Sequence, residues 1–130
     1  MYSAMDTMLA ALVSDQFPHL AELLGSRLLH ARADEFQRLG MVPLWQVERD
    51  LKLLTRYVPQ AKITSAYRDL LRNPRKFIEA MYEIRVAAML APFADKLELA
   101  PKIGAGKCDL KCEVGGKGIF LEVTTREDKF

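Results

Sequence analysis

Two carboxylates near the end of the chain have the spacing to do chemistry. Asp109 and Glu122 sit in residues 107–114 and 118–125, two stretches that alternate with period two around Gly115-Gly116. A two-residue glycine turn pairs Leu110 with Leu121, Cys112 with Ile119 and Cys108 with Val123, one apolar face suited to packing on a helix. The other face then sets Lys107 opposite Thr124, Lys111 opposite Phe120, and Asp109 directly opposite Glu122. Opposed carboxylates repel. A divalent cation between them turns that repulsion into binding, because hard cations prefer carboxylate oxygens. A four-residue loop would leave both acids on that face as diagonal neighbours. The plain alternative is a solvated face on which Lys107 and Lys111 neutralise the acids; Phe120 speaks against it, since an aromatic there suggests partial cover.

A third acid can join them. Glu83 falls within an expected helix over residues 74–90, where Phe77, Met81, Ile84 and Ala88 share one stripe. Glu79, Glu83 and Val86 share another, at the spacing of neighbours on a helix surface. A short loop before the sheet lets this helix lie near the first strands. Taken alone, Glu83 also reads as a surface glutamate paired with Arg85 or Arg75.

The elements around these acids follow from local signals. Leu9, Leu12 and Val13 fit one short helix. A second is expected over 18–39, with Pro18 in its first turn, Gly40 at its end and a bend at Gly25. A third covers 43–58, where Leu44, Val47, Leu51, Leu54 and Val58 alternate steps of three and four, and Pro59 stops it. A fourth covers 62–71, and Asn73 caps the fifth, which carries Glu83. After Pro92, residues 97–101 suggest a strand and Gly104 and Gly106 a loop, ahead of the hairpin. The fold class is therefore α+β: an N-terminal helical region over 1–72, then a helix packed on a three-strand meander over 73–130.

Composition narrows the functions available. The chain has 130 residues, half of them hydrophobic and 28% charged, ordinary for a folded domain and too apolar for a disordered one. It has no apolar run near the roughly 20 residues that span a bilayer, and residues 1–15 lack the basic start of a signal peptide. Two cysteines four apart, Cys108 and Cys112, are too few for a disulfide framework or a four-ligand zinc site. Alternating inward with Leu110, they read as core, and the expected compartment is cytoplasmic. The net charge of +2 divides as −1 over residues 1–58 and +3 over 59–130. Lys62, Arg68, Arg72, Arg75 and Lys76 stand against Asp69 alone, a stripe that attracts phosphate backbones, or simply a solvated helix face. Residues 104–107 lack the spacing of a P-loop, and there is no G-x-S-x-G. His19 and His30 are not at metal spacing and read as surface residues; Trp45 and Met41 read as helical core.

The order helix glutamate, strand, Gly-rich loop, Asp on a strand, hairpin, Glu-x-Thr resembles the PD-(D/E)xK nuclease superfamily, the restriction-endonuclease-like fold. The resemblance covers about residues 75–125. It implies that Glu83 matches the helical acid, Asp109 the motif Asp, preceded here by Cys108 rather than Pro, and Glu122 in Phe120-Leu-Glu-Val-Thr124 the second acid. Thr124 stands where the family usually has Lys. Lys107, opposite Thr124 in the two-residue-turn register, is the residue whose ammonium could reach the same space. The family fold continues into another helix and strand, so the resemblance also implies a core incomplete at its C-terminal end. The N-terminal helices cover the open edge, a second copy or partner chain completes it, or the chain is part of a longer protein.

By that resemblance the activity is phosphodiester hydrolysis of nucleic acid, DNA favoured, with Mg²⁺ or Mn²⁺ held by Asp109, Glu122, the carbonyl of Val123 and Glu83. Lys107 stabilises the developing charge, and Lys62, Arg68, Arg72, Arg75 and Lys76 hold the nucleic-acid backbone. Two other functions stay open: an inactive nuclease-like module that binds nucleic acid or protein, which Thr124 favours, and a helical interaction or oligomerisation domain, which the Leu44–Val58 stripe favours.

Overall fold

The computed structural model describes residues 4–26, 28–32, 44–103 and 106–123. Within them the chain is α+β, helices first and an antiparallel meander after. It divides into two compact units, Met1–Lys52 and Leu53–Phe130. The 72/73 boundary expected above divides the chain by motif; these units divide it by packing, and they place the helix before Glu83 with the sheet. Among the described residues no helix is long and apolar enough to cross a membrane.

The first unit holds α1 (Ala4–Gln16), α2 (Pro18–Leu24), a short helix α3 (28–32) and most of α4 (Leu44–Leu54). The long second helix of the sequence reading breaks early. Gly25 takes φ +79°, a left-handed conformation that a helix cannot continue through. Residues 33–39 of that expected helix, and Met41, lie outside the described residues. Leu44, Val47, Leu51, Leu54 and Val58 are all buried, as their spacing predicts. The stripe is thus occupied within the chain and is no free partner face. The helix that carries it ends at Leu54 rather than Val58; residues 55–58 turn, with the Val58 amide donating to Leu54 O. Trp45, expected in the core, is 50% exposed beside the stripe, with the Arg49 guanidinium 5.2 Å from its ring centre.

The second unit holds α5 (Gln60–Arg72), α6 (Phe77–Leu90) and two antiparallel ladders. Asn73 does not cap α6 directly. Its side chain accepts the Arg75 amide at 3.0 Å and its carbonyl accepts the Lys76 amide at 3.0 Å. A closed turn therefore fills residues 73–76, and α6 starts three residues later than expected. On α6 the stripe Phe77, Met81, Ile84 and Ala88 is buried; on α5 it is Ile63, Tyr67 and Leu71. The two helices pack on each other and both touch β1 (Lys96–Leu99).

The main sheet runs β1–β4–β5, with β4 (Leu110–Val114) at its centre and β5 (Lys117–Leu121) at an edge. A small hairpin of β2 (Lys102–Ile103) and β3 (Gly106–Lys107) is inserted between β1 and β4. Gly115 and Gly116 both take positive φ, 59° and 79°, as a tight two-residue hairpin turn requires. The register is the expected one: Leu110 pairs Leu121, Lys111 pairs Phe120 and Cys112 pairs Ile119. Asp95 fastens the turn by accepting the Gly115 amide at 2.8 Å. One face carries a cross-strand charge pattern, Lys96 opposite Glu113 and Glu98 opposite Lys111.

The expected six-residue apolar face is only half realised. Cys108, Leu110 and Cys112 are buried, and Leu110 alone is worth about 1.5–3 kcal/mol of apolar transfer. Their partner Ile119 is 52% exposed, and Leu121 and Val123 are half-buried. Phe120 is exposed as well, with the Lys111 ammonium 5.4 Å from its ring centre as its neighbour. Phe120 is 51% exposed, so the cover that it suggested is not present among the described residues.

Candidate functional site

Period-two alternation puts Asp109 on the face of Lys111 and Glu113, the charged one. The ladder, however, ends at Leu110, and the chain bends at Asp109. Three bonds hold the bend. The Ala100 amide donates to Asp109 O at 2.9 Å, the Cys108 amide donates to Pro101 O at 3.1 Å, and the Cys108 thiol donates to Leu121 O at 3.0 Å. Freed from the ladder, the Asp109 carboxylate does two things. Its Oδ2 accepts the Val123 amide at 2.7 Å, and its charge acts on Glu83 of α6.

Glu83 is buried, 7% exposed, in the middle of α6. A surface glutamate paired with Arg85 or Arg75 is therefore excluded. Burial is the main reason its carboxyl is pushed up from the ordinary 4.5 to about 7; the charge of Asp109 comes next, then the hydrogen bond with it, then the charge of Glu79. Lys76 pulls the other way, and its ammonium lies 3.7 Å from Glu79. A carboxyl held near 7 is partly protonated at neutral pH, and a nearby cation would favour its charged form.

Tyr67 on α5 completes the cluster. It is fully buried, and among the described residues its hydroxyl has no hydrogen-bond partner. Burial first, and then the charges of Glu83 and Asp109, hold its phenol above the usual range, which puts the hydroxyl within the field of both acids. Sequence reasoning missed it. The available signal was a tyrosine within the Ile63–Leu71 stripe, where phenylalanine would fill the space without a polar atom to satisfy.

The other expected site residues fall in three groups. Val123 is present through its backbone, whose amide binds Asp109. Glu122 lies just beyond β5 and is exposed; one further step of the ladder would set it opposite Asp109. Lys107 belongs to β3, where it pairs with Lys102; its side chain lies outside the described set, as does the whole of Thr124. Lys62, Arg68, Arg72, Arg75 and Lys76 are all exposed, on α5 and on the turn leading to α6, and the charge of Lys76 reaches Glu83. Compared with protein-family models, curated proteins and solved structures, the chain matches none. The site is thus to be judged by its own chemistry.

That chemistry suits a hard divalent cation in part. Glu83 is buried and Asp109 half-buried, one backbone amide is bonded to Asp109, and both acids act on the buried Tyr67 phenol, which has no partner among the described residues. Among the described residues no group of three His, Cys, Asp or Glu side chains is gathered to hold an ion. The pair therefore offers two acidic ligands, with Glu122 next to them in register.

The first unit contains a polar pair, Glu48 and His19, of which the sequence reading placed only His19 on the surface. Glu48 Oε1 accepts the amides of His19 at 2.8 Å and Leu20 at 2.9 Å, and its Oε2 meets His19 Nδ1. His19 is half-buried by this contact, and His30 is half-buried too. Glu48 acts as a cap, delivered from α4, on the first turn of α2, whose amides have no partner within the helix.

Proposed function

We propose that the second unit is a divalent-metal-dependent phosphodiesterase domain acting on nucleic acid, with a site of PD-(D/E)xK type. The observation that carries this reading is that Asp109, 26 positions away in sequence, comes near enough to the buried Glu83 for its charge to hold the Glu83 carboxyl up. A structural core gains nothing from placing one acid against another, because their repulsion and desolvation both oppose folding. Mg²⁺ or Mn²⁺ held there would acidify a bound water and neutralise charge on a phosphate. The chain's own residues do the rest. Asp109 is aimed by the Val123 amide; Glu83 is aimed by the burial of α6 on both sides of it; Glu122 approaches from the end of β5. The exposed cations of α5 and of the 73–76 turn supply a sequence-independent hold on a phosphate backbone.

Calorimetric titration with Mn²⁺, together with cleavage of plasmid DNA in Mg²⁺, tests this. Wild type should bind and cut, and Asp109→Asn should lose at least about tenfold in affinity along with all cleavage. Equal Mn²⁺ affinity in wild type and Asp109→Asn would sink the metal site. A second reading, a module that binds nucleic acid without cutting it, is favoured by one observation: two acids, not three, are gathered among the described residues. It predicts retention of DNA at low salt, lost on Arg68→Glu, and no cleavage.

A further inference from the structure

We propose that the outward face of α4, formed by Trp45, Arg49 and Lys52 of the first unit, is a contact surface for single-stranded nucleic acid: the indole stacks on an unpaired base and the two cations take neighbouring phosphates. The inference rests on the first unit and does not need the acid pair of the second to be catalytic.

In sequence α4 is electrically balanced, with Glu48 and Asp50 against Arg49 and Lys52. Folding sorts those charges. Both acids are buried, and Glu48 is turned inward onto the His19 and Leu20 amides. Arg49 and Lys52 stay exposed, and the surface of the helix is cationic as a result. Trp45, Arg49 and Lys52 follow one another at steps of four and three, which sets them on one face over about 10 Å of helix axis. The remaining residues of α4 are buried or half-buried. Charge alone would suit any polyanion. The indole narrows the partner. Trp45 is 50% exposed, and the Arg49 guanidinium stands 5.2 Å from its ring centre, within cation–π range. That contact orients the ring while half of the residue's surface stays open. An acidic side chain would satisfy the two cations but has no ring to lay on the indole. A duplex offers phosphates, yet its bases are already stacked on both sides. A single strand supplies phosphates for the cations and a base face for the ring, the combination by which sequence-tolerant single-strand binders hold their ligand.

The chain has one tryptophan, so tryptophan fluorescence reports on position 45 alone. At low salt and without added metal, an oligothymidylate of about 16 nucleotides, the upper end of a single-strand site, should quench it. A duplex of the same length should quench it much less, and inorganic polyphosphate, which has the charge but no bases, should leave it unchanged. Binding read by the anisotropy of a labelled oligothymidylate should weaken about 5–150-fold in Trp45→Ala, the effect of one lost stack. Arg49→Gln should weaken it too, and lower the salt slope by about one counterion. The wild-type quenching stands as a test even should Trp45→Ala fold poorly. The surface is overturned if oligothymidylate does not bind, if it binds without quenching and equally well to Trp45→Ala, or if duplex or polyphosphate quenches as much. The Mn²⁺ titration of Glu83 and Asp109 is read separately, so either proposal can fail alone.

Discussion

Glu48 and Glu83 are both buried glutamates on helices, and their surroundings are opposite. Glu48 meets donors only: two backbone amides at 2.8 and 2.9 Å and a histidine ring nitrogen. Glu83 has the charge of another carboxyl acting on it, and the same acids act on a phenol with no partner among the described residues. The first arrangement is what a folded chain needs in order to close the open end of a short helix. The second opposes folding, and its carboxyl sits near 7 as a result. The contrast separates a glutamate held by donors from one set near another acid, whose charge and whose own burial keep it above the ordinary carboxylate range.

The comparison breaks first at Glu48. Glu48→Ala should lower the unfolding free energy by about 2–4 kcal/mol, since it orphans two amides and a histidine nitrogen at once. Denaturant unfolding at pH 7 measures it, and a loss below about 0.5 kcal/mol, the range of ordinary surface changes, would mean that the cap contributes little. The opposite sign is expected at Glu83. Because folding raises its pKa from 4.5 to about 7, its contribution to stability is fully present below pH 4.5 and is lost as pH rises through 7. Glu83→Gln should therefore leave stability unchanged near pH 4 and raise it by about 1–3 kcal/mol at pH 8, read as an upward shift of the thermal midpoint at the higher pH only. A glutamine that destabilises at pH 8 would show that Glu83 is satisfied as Glu48 is. The smallest effect is the coupling. In a double-mutant cycle at pH 8, Asp109→Asn should reduce the gain from Glu83→Gln by about 1 kcal/mol, because it removes the charge and the hydrogen bond that raise Glu83. Strict additivity would mean that burial alone shifts Glu83.

Much of the architecture could be read from short-range pattern. The stripe from Leu44 to Val58 is buried at every position, and the two glycines that the hairpin needed are where the turn is, in the expected register. These signals are legible because helix and strand periods act between near neighbours. The misreadings have long-range causes. Trp45 is next to a core stripe but points outward. Ile119 alternates correctly yet lies exposed on the edge strand. His19 looked like a surface residue because its partner is 29 positions away.

The site shows the same division. The residue types and the spacing of Asp109 and Glu122 around the hairpin belong to the sequence, as does a glutamate midway along an amphipathic helix. That Asp109 comes near Glu83, while Glu122 stays exposed, was decided by tertiary structure. Bonds from Ala100, Pro101 and Leu121 bend the chain exactly one residue before the ladder begins, and a strand's alternation assigns a side chain to a face only while the ladder lasts. That the Tyr67 hydroxyl has no partner among the described residues is likewise invisible in sequence, because whether a buried polar atom has a partner depends on how three elements pack and not on any one of them.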